Sequence, residues 1–87
     1  TECQGSGIEA NGTALIVLGL GTEVTRNCTR GYEFDFGLKV DTDYKAAICI
    51  KKPLTLNGVS HDNGLREAKN VGVGQNGGKI KNIKEAD

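Results

Sequence analysis

The chain has no Met and no Trp, and only two Phe, two Tyr, one Pro and one His. Large apolar side chains are what fill a core, and 87 residues already bury a smaller share of their surface than a long chain does. Thirteen glycines add nothing to pack and lose the most entropy on folding. One domain is the upper limit, and its interior is thin. No apolar run approaches the 18 or so residues of a membrane-spanning helix. The formal net charge is zero, which removes the electrostatic case for nucleic acid. None of the three cysteines shows Cys-x-x-Cys spacing, and His61 has no ligand partner at a recurring interval. Neither a metal site nor a thioredoxin-type site is therefore expected, and no cofactor is expected.

The cysteines that are present, Cys3, Cys28 and Cys49, suit one disulfide and one leftover thiol, the kind of staple a thin domain needs. Disulfides persist in oxidising compartments. Two Asn-x-Thr sequons, at Asn11 and Asn27, accord with secretion. A chain that opens at Thr1 without Met or an apolar leader fits a mature exported form. Charge is unevenly spread: residues 1–64 carry six Lys/Arg against eight Asp/Glu, and residues 65–87 carry five against three.

Strand chemistry dominates what remains. Leu15, Ile16, Val17, Leu18 and Leu20 predict a strand that is apolar on both faces, so it is either buried on both sides or hides one against a partner. The 22–29 stretch is β-prone and polar, as an edge strand is. Phe34, Phe36, Leu38 and Val40 alternate with polar residues, which puts the four on one sheet face. Asp41-Thr42-Asp43 reads as a turn. Tyr44, Ala46, Ile48 and Ile50 alternate again, with Cys49 on the other face. Pro53 interrupts the pattern, and Asn57-Gly58 predicts a hairpin turn. Residues 66–87 are Gly-, Asn- and Lys-rich with isolated apolar residues, and are expected to form a flexible tail behind a folded domain of residues 1–65. A short helix at 65–69 is too brief to stand alone.

The segments Leu20-Gly-Thr-Glu-Val-Thr and Thr29-Arg-Gly-Tyr-Glu-Phe-Asp-Phe, with Cys49 and Leu56-Asn-Gly, resemble the MAX effectors, avirulence and ToxB-like proteins secreted by plant-pathogenic fungi such as Magnaporthe. The likeness covers about residues 3–60. It implies an all-β fold, a six-stranded antiparallel β-sandwich of two three-stranded sheets, with a disulfide that falls on Cys3 and Cys49. Closing a loop of about 46 residues stabilises by roughly 3–4 kcal/mol in the chain-entropy model. The likeness also implies a monomeric virulence protein, exported and in many cases translocated into the plant cytoplasm. Its partners would be host proteins, in several cases an immune receptor's small integrated domain, with no membrane or nucleic-acid partner.

Partner binding, not catalysis, is the function expected. The edges of the 13–20 and 22–29 strands offer backbone donors and acceptors. Glu23, Thr25 and Arg26 would set specificity there, with Glu33 and Asp35, beside Asp41 and Asp43, as a second, acidic patch. Ordinary solvated strands are the plainer reading of both. Gly72, Gly74 and Gly77 match G-x-G-x-x-G, but too little chain follows for a dinucleotide fold. The alternative function is a small secreted antimicrobial or killer-type toxin. That reading wants a cationic amphipathic face, which the sequence pattern does not display.

Overall fold

The computed structural model describes residues 2–41, 45–64, 67–75 and 77–86. The chain forms six short strands: β1 (Ile8–Asn11), β2 (Leu15–Leu18), β3 (Leu38–Asp41), β4 (Ala47–Lys51), β5 (Val71–Val73) and β6 (Ile83–Ala86). Two three-stranded sheets result, ordered β1-β3-β5 and β2-β4-β6. Every pairing is parallel. Parallel neighbours cannot be joined by a tight turn. The chain instead winds: each circuit lays one strand on each sheet and returns one level higher. A parallel bridge between Val24 and Ser60 begins a third wall. The architecture is a short parallel β-solenoid.

This replaces the antiparallel sandwich. Alternation along a strand was correctly apolar-inward for Ala46, Ile48 and Ile50, all fully buried, but alternation carries no information about strand direction. Winding also explains the aliphatic core. Ile8 stacks under Leu38 and Leu38 under Val71. Ala10, Val40 and Val73 form a second column, and Ile16, Ile48 and Ile83 a third. Like shapes lie above one another at the strand spacing of about 4.8 Å. A narrow interior of Val, Ile, Leu and Ala then fills without large aromatics.

The aromatics lie elsewhere. Phe34 and Phe36 do not share the inward face of Leu38 and Val40. They belong to a loop over residues 29–36 that packs outside the first sheet. There Gly72, in the middle of β5, gives the Phe36 ring its seat: a Cβ on Gly72 would fall 2.3 Å from the ring. The Lys69 ammonium caps the other side of that ring, 5.1 Å from its centroid. Beneath the loop, Lys39 is nearly buried and reaches Glu9 at 3.3 Å and Asp41 at 3.8 Å. The outward face of β3 and β5 is thus covered.

Several other expectations change. No disulfide joins any two of the three cysteines, so the expected Cys3–Cys49 disulfide is absent. The winding explains why: Cys3 sits at a turn one level below Asn27, whereas Cys49 is paired above Val17 on the second sheet. The 22–29 stretch is no strand beyond its bridge at Val24. Asn57-Gly58 lies in a single helical turn, α1 (Leu56–Val59), whose N-cap Thr55 accepts from the Gly58 N–H. Residues 66–87, expected as a tail, supply β5, β6 and two 3-10 turns, Glu67–Lys69 and Ile80–Asn82. Asp43 and Tyr44, and part of the 65–69 helix, lie outside the described residues.

Candidate functional site

The winding turns back on itself at two stacked corners, Arg26-Asn27-Cys28 and Asp62-Asn63-Gly64. Corresponding residues share the left-handed conformation: Arg26 and Asp62 have φ of 57 and 55°, Cys28 and Gly64 of 64 and 63°. Only glycine takes that region without cost. Arg26, Cys28 and Asp62 are held there by an asparagine ladder. Asn63 Oδ1 accepts from the Asn27 backbone N–H at 3.1 Å and from its side-chain amide at 2.9 Å. The Cys3 N–H repeats the step below on Asn27 Oδ1, and the Asn63 N–H repeats it above on Asn70 Oδ1. Backbone bonds join the levels as well, from Arg26 N–H to Asp62 O and from Gly64 N–H to Asn27 O.

Those corners form the floor of an open groove of about 650 Å³. Arg26 and Asp62, from successive levels, line it together with Glu33 and Lys69. Lys69 is fixed by donating to the Tyr32 and Glu33 carbonyls at 2.9 and 3.0 Å. Asp62 Oδ2 lies 2.9 Å from His61 Nδ1, within hydrogen-bond distance. Arg26 makes a loose, exposed ion pair with Glu2 at 3.7 Å. The groove therefore offers two cations and two carboxylates around a rigid polar floor. Cys28 lies in that floor, and burial, reinforced by the Asp35 charge, pushes its thiol up. A thiol held protonated is a poor nucleophile.

The residues singled out from sequence divide. Arg26 and Glu33 come together in the groove. Glu23 is exposed on the third wall, outside it. Thr25 is buried and cannot contact a partner. Asp35 is also buried, and Arg30 chelates it through Nε at 2.6 Å and a second nitrogen at 2.8 Å. That bidentate bond holds the Asp35 carboxyl below the usual carboxylate range. Asp35 anchors the 29–36 loop instead of meeting a ligand, and the Arg30 guanidinium, 5.3 Å from the Tyr32 ring, extends the same brace. Asp41 is taken up by Lys39.

The sequence reading assigns no binding role to Asp62, Lys69 or Asn63 and takes Asn27 only as a sequon. The available signal was internal repetition. Val24-Thr-Arg-Asn27 and Ser60-His-Asp-Asn63 occupy equivalent corners 36 residues apart, inside the range of repeat periods that marks solenoids. Among the described residues, no three His, Cys, Asp or Glu side chains gather as a metal site, and no helix is long and apolar enough to cross a membrane. Comparison with family models, curated proteins and solved structures gave no match for this chain.

Proposed function

We propose that the chain is a non-enzymatic binding module whose corner groove takes an extended, charged segment of a protein partner. The observation that carries this is the set of charges Arg26, Lys69, Asp62 and Glu33 around a floor braced by the asparagine ladder. Arg26 and Lys69 would meet acidic side chains and Asp62 and Glu33 basic ones, so the groove selects a peptide bearing both signs. A preorganised site of this kind loses little entropy on binding. The buried Cys28 thiol favours binding over catalysis for the same groove. The setting we propose remains export and a host-protein partner, as the effector likeness implies. The antiparallel sandwich and the Cys3–Cys49 link that the likeness implies are absent, so the binding proposal stands on the groove alone.

The test is a titration of isotopically labelled protein with an extended peptide alternating Arg and Asp, against a Gly-Ser peptide of equal length. The charged peptide is expected to shift the Arg26, Gly31 and Gly64 amides saturably. The shifts should weaken steeply with salt and vanish in Arg26→Glu. Equal shifts from the Gly-Ser peptide, or an unchanged response in Arg26→Glu, would overturn the proposal.

A further inference from the structure

The two sheets differ in what covers them. The 29–36 loop lies over the first. On the second, β2 turns Ile16 and Leu18 inward and Leu15 and Val17 outward, where they are 64% and 54% exposed. In register beside them, Ala47 and Cys49 of β4 also point outward, and the row continues from Val17 through Cys49 to Lys84 of β6. Lys51 ends the outward series of β4. Leu20 just after β2, and Ile80 just before β6, are exposed as well. A soluble domain seldom leaves such a contiguous apolar face bare.

Charge says what it faces. Residues 45–54 and 77–86, which contain β4 and β6, together carry six lysines and one carboxylate, Glu85. Glu85 is turned to the Leu56 backbone N–H, its acceptor bond being 2.8 Å. Of these lysines, Lys51 and Lys84 are exposed and stand on the outward face, beside the apolar strip. This is the cationic amphipathic face missing from the sequence pattern, assembled from two levels of the winding.

We infer that the outward face of the β2-β4-β6 sheet docks on an anionic lipid surface. Leu15, Val17 and the Cys49 side chain enter the headgroup boundary, and Lys51 and Lys84 remain at the level of the lipid charges. Lysine suits this arrangement because its stem is apolar and its head is not. Basic residues near an anionic leaflet are attracted to it additively. The face lies on a different wall from the corner groove, so the two sites are independent.

Cys49 supplies the readout. Protein is mixed with vesicles about one-third phosphatidylserine in phosphatidylcholine, or with phosphatidylcholine alone, and alkylated briefly. Labelling is then read peptide by peptide. The expected result is sedimentation with the anionic vesicles only. Cys49 labelling should slow severalfold, while exposed Cys3 in the same sample is unaffected. Lys51→Glu/Lys84→Glu should abolish both effects, and Val17→Ser should reduce them, with the far-ultraviolet dichroism of each variant unchanged. Should a variant misfold, release of the parent protein at about 1 M salt, where the screening length is about 3 Å, provides the same discrimination. Failure to sediment with anionic vesicles, equal binding to phosphatidylcholine, or Cys49 protection without vesicles would each overturn the inference. The last outcome would assign the face to a second copy of the chain.

Discussion

Asn63 is the residue on which the corners depend. Its Oδ1 takes both Asn27 donors, and its amide nitrogen donates to Val24 O at 3.0 Å and Ser60 Oγ at 3.1 Å. Truncation strands these buried groups, each costing about 1–3 kcal/mol. Asn63→Ala is therefore expected to lose at least 2–3 kcal/mol in urea unfolding. Asn27 occupies the same kind of site and is fully buried, so its sequon is closed to a glycan in the folded chain. At the same scale, Asp35 makes stability depend on pH. Its folded carboxyl titrates below its unfolded one, because Arg30 bonds the ionised form. The native state then binds fewer protons than the unfolded state, and stability falls as pH drops through the folded value. Asp35→Asn is expected to flatten the acid limb of a thermal-stability profile below about pH 4 while leaving its neutral limb lower. An acid limb as steep as that of the parent protein would show that Asp35 does not control it.

Among elements, the contact between the 29–36 loop and β5 sets what each can be. Gly72 is required because the Phe36 ring occupies the space of its side chain. Gly72→Ala is expected to destabilise by about 1–3 kcal/mol. Phe36→Ala made first should remove most of that penalty, a non-additive pair in a double-mutant cycle. Additive losses would mean that the loop does not rest on β5. The phase of β3 and β4 could be read from alternation, since Leu38, Val40, Ile48 and Ile50 are β-formers at period two. The position of Phe34 and Phe36 could not: they extend the same period in sequence, but Gly37 breaks the strand between them and Leu38. Arg26 and Glu33 were legible as exposed charges within one winding. Asp62 and Lys69 join them only through vertical stacking, which no local pattern encodes.

For the whole molecule, the missing staple and the last quarter of the chain are the main departures from the sequence reading. Three cysteines outside any disulfide mean that a reductant should leave Tm unchanged, and intact mass after alkylation in denaturant should show three adducts without prior reduction. Either result failing would restore a disulfide. Residues 66–87 looked unable to order because their apolar residues are isolated. In a solenoid isolation is no handicap, since Val71, Val73 and Ile83 need only fall above an existing column. Each level buries its inner face against its neighbours. Deleting residues 66–87 would uncover the tops of the Leu38, Val40 and Ile48 columns. The shortened chain is expected to lose its cooperative unfolding transition and to aggregate.

The vertical pairing also governs how the chain finds this state. Ile8 meets Leu38 and Ile48 meets Ile83, steps of 30 and 35 residues, so almost none of the strand pairing is local. Contact order is correspondingly high for so short a chain, and loop closure must be completed before any strand pair is rewarded. Refolding is expected on the slow side of small domains, in milliseconds to seconds. The first complete level would be the bottleneck, and each later level would zip onto the one beneath.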